Sequence, residues 1–449
     1  MSKNICFVAN QKKTVFFRGI AQELAKVGVS VYWITVSDKL KRELEVEYGE
    51  DKVLLLSRGA SGDPIANFRL NEIIFGDRSL KEQQVWAHSY LSGVQKPIYD
   101  FVNNNKIANI FGEVTWGHEM LILRITKMFP SLNCRYLSPH TVRMPSGHFA
   151  FFSDEEQSEL TARSSGMDYE HIKITLAKPD YLGLNNQLVN KYFSLGDRIK
   201  RLMNFIVGKN HESDNPAMLH SKPKKLIKHL AREFNRELYR IVKKRDLTSC
   251  AENVRYVLYP LHKQPEASVD VIGRYYDDQY VNILNIWRAL PDGWRLLVKE
   301  HSNAIGDRSI FFYNKVTRLH NVFLIGENED SHKLIKNAQA VVTVSGTAAY
   351  EAALLGVPSF TFAKAFFNEL ALCHHLSIDQ FKVSSLGEII ETSKKHGKDK
   401  MTLLEYEDWL SARIFKGVIS DPDSNPACIT PENLACVARG FKTIIDVGV

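Results

Sequence analysis

Apolar and polar positions alternate in blocks that name the elements in turn. "ICFVAN" is an apolar run short enough for a strand buried on both faces. "TVFFRGIAQELAKVG" follows, and its Phe17, Ile20, Leu24 and Val27 fall on one helical face. "VSVYWITV" is the next strand, a charged helix starts at Asp38, and "KVLLLS" is strand-like again. After a less regular stretch come a helix near 84–104, the strand "IANIFGEV", a helix over 118–129 and the strand "RYLSPH".

A second series starts near Asn253. It runs "RYVLYPLH", a helix around 279–289, "WRLLVKEH", "NVFLIG", a helix over 331–337, "QAVVTVSG", an alanine-rich helix and "PSFTFA". Gly356 is a helix stop, with Pro358 behind it. Strands separated by helices imply mostly parallel sheets with right-handed crossovers. The predicted fold class is α/β: two Rossmann-like αβα domains facing across a cleft, the architecture called GT-B, with a helical insert. The expected domains are 1–160, an insert over 161–250, 251–430, and a last helix near 431–445 that crosses back to the first domain. No GxGxxG follows the first strand, which argues against a plain dinucleotide-binding dehydrogenase.

A length of 449 residues fits two or three domains, and 44% hydrophobic with 24% charged residues fits an ordinary globular protein. No apolar run approaches the roughly 20 residues that span a bilayer, and "MSKNICFVAN" lacks a signal-peptide pattern. A cytoplasmic protein is expected. Six scattered cysteines without a CxxC pair indicate neither a disulfide framework nor a zinc knuckle. Charge changes the picture more. Residues 191–246 hold 15 Lys/Arg against 6 Asp/Glu, a local net of +9 within a chain of net +7, so the rest is slightly acidic. Lys and Arg interspersed with Leu, Ile and Phe suit a solvated helix face, an anionic membrane surface or an acidic polymer. Nucleic acid is not expected, since no binding motif accompanies the charge.

In doubly wound sheets ligands bind beyond the carboxyl ends of the strands. Three polar groups sit there in the second half. "YPLHKQPEAS" supplies His262, Lys263, Gln264 and Glu266, "VKEHSN" supplies Lys299, Glu300 and His301, and "VSGTAAYE" supplies Ser345, Gly346, Thr347 and Glu351. Lys299 and His301 share a strand face by the two-residue period, which would let them reach one anion together. Ser345 or Thr347 could simply cap the next helix. Alternatively, open amide groups at its start receive a phosphate. In the first half Glu113 ends a strand after Gly112, and is a candidate to act at a reacting carbon or to cap the helix near His118. His262 is a second candidate catalytic group. His140 and Arg143 in "PHTVRMP" are candidates for a sugar carboxylate or an acceptor, with Glu266 beside them in that role. Asp277 and Asp278 read as charge complements at a helix start. "WGHEML" lacks the second His of HExxH, so no metal is assigned.

"LHKQPEAS", "LVKEHSN" and "VSGTAAYEAALLGVPSFTF", in that order and spacing, resemble the bacterial capsule-synthesis glycosyltransferase family that includes the β-Kdo transferases. The similarity is clearest over about 253–368 and weaker through "IFGEVT" and "PHTVRMPSGHFAFF". The resemblance implies a metal-independent transferase without a cofactor that uses a nucleotide sugar, CMP-Kdo among them, and extends a glycan or lipid-linked glycan. It assigns donor binding to the 251–430 domain and acceptor binding to the first. It carries Gln264 and Pro265 onto the family's Gln-Pro pair and His301 onto its His-Pro pair, where this chain has Ser302. The Ser-Gly turn and Glu351 are also similar to those of nucleotide-sugar epimerases, in which the turn holds phosphate and the helix Glu holds ribose. An epimerase and a non-catalytic glycan-binding subunit are the alternative functions. For a transferase of lipid-linked glycans, peripheral attachment to the inner membrane through 191–246 is expected.

Overall fold

A computed structural model describes residues 4–163, 169–176, 196, 222–246 and 254–447. The chain divides into two compact units. One comprises Met1–Glu155, Leu160–His220 and Leu410–Val449, and the other Glu156–Glu159 and Ser221–Trp409.

The first unit is built on seven strands: β1 (Asn4–Ala9), β2 (Ser30–Thr35), β3 (Val53–Leu55), β4 (Ile107–Phe111), β5 (Arg135–Thr141), β6 (His148–Phe152) and β13 (Ile414–Lys416). Their order is β13-β6-β5-β4-β1-β2-β3. The five strands β1 to β5 run parallel, as their continuous apolar sequences require once helices cover both faces. β6 and β13 add an antiparallel margin that the period pattern did not announce. The helix Lys13–Ala25 buries Phe16, Phe17, Ile20 and Leu24. Val27 does not join that face as expected, because the helix ends at Ala25 and Val27 is 57% exposed. The expected helix over 84–104 is two helices, Gln84–Gly93 and Gln95–Asn104.

The second unit holds β7 (Tyr256–Pro260), β8 (Arg295–Lys299), β9 (Val322–Ile325), β10 (Ala340–Thr343), β11 (Ser359–Thr361) and β12 (Cys373–His375). Their order is β12-β11-β10-β7-β8-β9, all parallel. Both sheets therefore have the Rossmann-like α/β organisation expected from the sequence. Of the basic stretch 191–246, residues 191–195 and 197–221 lie outside the described residues. The rest carries the helix Lys222–Ile241, fixed to the second unit by an Arg232–Asp307 ion pair at 2.8 Å and a Tyr239 hydroxyl that donates to Glu327 at 2.9 Å. Among the described residues no helix is long and apolar enough to cross a membrane.

The chain's return to the first unit begins at Leu410, before the helix at Pro431 from which the sequence pattern starts it. β13 has only three residues, too few to show a period. The helix Pro431–Val447 then delivers Phe441, fully buried, between Phe111 (ring centroids 4.7 Å apart) and Phe151 (4.9 Å). Truncating an aromatic side chain in such a core costs about 3–5 kcal/mol. Phe441→Ala is expected to lower the stability of the first unit by that order in urea unfolding followed by tryptophan fluorescence. A loss below about 1 kcal/mol would mean that the helix only decorates the surface.

Candidate functional site

A strand order of this kind reverses once in each sheet, between β7 and β10 and between β1 and β4. At such a reversal the connections leave toward opposite faces and the carboxyl ends of the two strands stay uncovered. Most of the residues singled out from the sequence lie near these two places.

In the second unit, His262 follows β7 and is hydrogen-bonded to Thr343 at the end of β10, Nε2 to Oγ1 at 2.7 Å. A Cβ on Gly346 would lie 2.9 Å from Thr343 Oγ1 and 3.0 Å from His262 Cε1, so only glycine lets the turn come this close. Gln279 holds the backbone of His262 in both directions: its Oε1 accepts from the His262 amide at 2.7 Å, and its Nε2 donates to the His262 carbonyl at 3.1 Å. Gln264 accepts from the same Gln279 amide and donates to the Asp277 carbonyl at 2.8 Å. Asp278, not Asp277, caps the helix Gln279–Arg288, accepting from Tyr280 and Val281. Burial, then the neighbouring charges of His301 and Arg308, push the His262 imidazole down to about 3. His262, held neutral by burial, joins the ends of β7 and β10 through Thr343.

The helix Thr347–Leu354 starts from Gly346 with no side-chain cap. Ser345 does not cap it, because its hydroxyl donates to the Ser268 carbonyl at 2.6 Å, and Thr347 is already the first helical residue. The Ala349 amide donates to the Gly346 carbonyl at 3.1 Å, and the amides of Thr347 and Ala348 are left for a ligand or solvent. Glu351, one turn on, lies 3.3 Å from His332 Nε2. Glu266 accepts from the Ser268 hydroxyl at 3.0 Å, and its amide donates to Asp270 at 2.9 Å.

Lys299 and His301 do not share a face. β8 ends at Lys299, and the chain turns at His301 into Ser302–Ala304, so the two-residue period lapses between them. Lys299 Nζ donates to the Glu327 carbonyl at 3.0 Å. The Asn303 amide donates to His301 Nδ1 at 3.1 Å, which puts the proton of the neutral ring on Nε2. Partial desolvation holds this imidazole below its usual range against the opposing carboxylates of Glu266 and Glu300. Under it lies a charged knot: fully buried Glu300 accepts from Arg308 at 2.6 Å, from the Tyr313 hydroxyl at 2.7 Å and from the His301 amide at 2.7 Å. Arg308 donates in turn to the His262 carbonyl.

In the first unit Glu113 follows β4 and pairs with Lys13 at 2.8 Å, across from the loop that follows β1. Lys13 is buried over the Phe16 ring. Glu113 is not the helix cap. That task falls to Glu119 in the helix Gly117–Met128, whose carboxylate accepts from the amides of Glu113 (2.9 Å), Thr115 (2.9 Å) and Trp116 (3.2 Å). These bonds sustain Val114 at φ 53°, a left-handed conformation that costs a β-branched residue about 1–3 kcal/mol. Burial, helped by the Glu113 charge, pushes the Glu119 carboxyl up to about 7. His140 donates from Nδ1 to the Thr141 carbonyl at 3.0 Å, and burial and then Arg143 push it down to about 4. Arg143 itself is exposed and adopts φ 68°. Asn10 closes the crevice from β1, with Oδ1 3.0 Å from His118 Nε2.

Sequence reasoning missed Lys13, Glu119, Gln279, Arg308 and Thr343. A buried acidic residue in "VKEH" signals that some cation must answer it, but nothing in the sequence singles out Arg308.

The neutral His262 has a consequence for stability. Its folded-state pKa is depressed, so its contribution is intact above about 6.5 and is lost as pH falls toward 3. Between pH 7.5 and pH 5 the wild type should lose about 2 kcal/mol more than His262→Gln, read from urea midpoints of the second unit. Equal losses in the two proteins would show that His262 is not held neutral by burial.

Residues 194–390 match the model of a family described as "Capsule polysaccharide biosynthesis protein". A comparison with curated proteins found no match. Among solved structures, the beta Kdo 2,7 transferase of KpsC from Thermosulfurimonas dismutans aligns over 99% of this chain and 99% of its own, with 10% identity and a TM-score of 0.37. The beta Kdo 2,4 transferase of the same protein aligns over 75% and 87%, with 13% identity and a TM-score of 0.34. MnaA of S. aureus, in a co-structure with UDP, aligns over 100% and 98%, with 10% identity and a TM-score of 0.29. The matched stretch, residues 194–390, takes in β7 to β12 and with them the crevice at β7 and β10, and over it the chain is similar to the capsule polysaccharide biosynthesis family.

Proposed function

We propose that this chain is a glycosyltransferase of bacterial capsule or lipopolysaccharide synthesis that takes a sugar from a nucleotide donor and adds it to a glycan. The crevice between β7 and β10 supports this above all, because it offers an anion an uncapped helix start, a glycine that allows close approach and His301 with a donating Nε2. The nucleotide phosphate occupies the Gly346–Thr347 turn, Glu351 lies one turn further for the ribose, and Gln264 and Glu266 border the sugar. CMP-Kdo is the donor that the Gln-Pro and His motifs favour. In transfer, the bond between the anomeric carbon and the phosphate oxygen breaks, and the nucleotide leaves with the electron pair. A new bond forms to an acceptor hydroxyl oxygen, whose proton passes to a base. Glu113, oriented by Lys13 and the Glu119-held loop, is the carboxylate for the reacting centre, with His140 and Arg143 on the acceptor side. Transfer from a β-linked CMP donor to a β-glycoside retains configuration.

Product analysis with and without a glycan acceptor tests the activity across CMP- and UDP-sugars. Conversion of the donor sugar without acceptor would make the chain an epimerase. Nucleotide-sugar binding without turnover would make it a binding subunit. His301→Ala is expected to weaken donor binding about ten- to a hundred-fold, the worth of a charge-assisted bond. Glu113→Gln should instead lower turnover while donor affinity stays within about two-fold. Normal transfer by a folded Glu113→Gln protein would remove Glu113 from the chemistry.

A further inference from the structure

The first unit carries a second recess that none of the residues above enter. It has a volume of about 330 Å³ and is lined by β13, by the helix Pro431–Val447 and by Arg163, Tyr169, Glu170 and Ile172. Three cations line it: Arg163, Lys416 and Arg439. Lys416 is answered by Glu170 at 2.6 Å. Arg163 sits over Phe415, 4.5 Å from the ring centroid, and donates to the Ile414 carbonyl. Among the described residues neither Arg163 nor Arg439 has a carboxylate partner. Desolvation already lowers the Arg163 pKa, so a partly buried guanidinium stands there without a counter-charge.

His148 adds a second, independent sign of a ligand. It faces Lys416 directly in the β6–β13 register, and its Nδ1 donates to the Ser146 carbonyl at 2.9 Å. Its Nε2 is therefore an acceptor, and that atom is buried with no hydrogen-bond partner among the described residues. An inorganic anion without a hydroxyl, such as sulfate, would satisfy the guanidinium groups but would offer the imidazole nothing. A ligand with both a carboxylate and hydroxyl groups satisfies all of them.

We infer that this recess binds a carboxylate-bearing saccharide, a stretch of an acidic polysaccharide held at the β13 margin of the first sheet, away from the β1–β4 crevice. The inference rests on the proposed role in polysaccharide synthesis for its biological sense, but binding is measurable without any turnover. One carboxylate bridges Arg163 and Arg439, and a hydroxyl donates to His148 Nε2. Such a site would keep a growing chain on the protein between additions and raise the local concentration of acceptor ends.

The test is calorimetric titration of the full chain, without nucleotide, using trigalacturonate, neutral maltotriose and inorganic phosphate. Trigalacturonate should bind, maltotriose about ten-fold more weakly or not at all, and phosphate weakly. Arg439→Gln and Arg163→Gln should each weaken trigalacturonate binding about ten-fold or more, whereas Lys442→Gln, on the same helix outside the recess, should not. Arg439 is exposed, so its variant keeps the fold, which urea unfolding verifies. Affinity unchanged in both arginine variants would overturn the site, as would no binding of trigalacturonate up to about 10 mM. Phosphate binding as tight as trigalacturonate would reduce it to a bare anion patch and overturn the saccharide assignment. Nucleotide-sugar binding should be the same in the wild type and in both variants. A chain that bound trigalacturonate but no nucleotide sugar would fail as a transferase and keep this site.

Discussion

Where the strand order of a doubly wound sheet reverses, two neighbouring strand ends stay uncovered, and in this chain most of the candidate site residues lie near such ends. At β1 and β4, and again at β7 and β10, successive crossovers leave for opposite sides of the sheet. Two strand ends are left with no loop over them, and polar groups gather in the gap. In the second unit the gap is bridged by His262 and Thr343, and in the first by Lys13 and Glu113. The bridges differ in kind. One is neutral and buried, suited to holding a turn in place, whereas the other is charged and partly open, suited to meeting a reactant.

The cost of putting polar groups there is met by partners close at hand in the fold. Glu300 is fully buried and has four acceptor positions to fill. Arg308, Tyr313 and the His301 amide fill three of them. Leaving a buried carboxylate unanswered would cost several kcal/mol, more than most single contacts contribute. Because Arg308 also reaches the His262 carbonyl, the knot ties the loop after β7 to the loop after β8. Glu119 does comparable work in the first unit, gathering three amides that the bent loop around Val114 would otherwise leave without acceptors.

The sheets were legible in the sequence because doubly covered parallel strands must be apolar throughout, and "ICFVA" and "AVVT" are. The positions of the polar clusters were legible for a related reason, since a strand's end is where its apolar run stops. Pairings between clusters were not legible. Lys299 and His301 satisfy a strand period on paper, but the strand stops between them. Ser345 has the chemistry of a cap, yet the hydroxyl finds a carbonyl 77 positions away in sequence. Lys13 reads as one of many surface lysines until β4 brings Glu113 against it. Contacts of that range are set by tertiary packing, to which local propensity is blind. The antiparallel margin escaped because β6 follows β5 with no helix between them, so the strand–helix alternation that marks the other strands is missing there.

The return of the chain through β13 and the helix carrying Phe441 bears on how the protein is born. Synthesis proceeds from the N-terminus, and domains ordinarily complete themselves in the order in which they emerge. Here the second unit, ending at Trp409, is whole before the first, because the first still lacks the segment from Leu410 onward. Until then Phe111, Phe149 and Phe151 have no Phe441 or Phe415 to close over them. The half of the molecule begun earliest is the last to be finished. During translation it exposes an aromatic surface for as long as the ribosome takes to read the whole of its neighbour, a window in which chaperones have the most to protect.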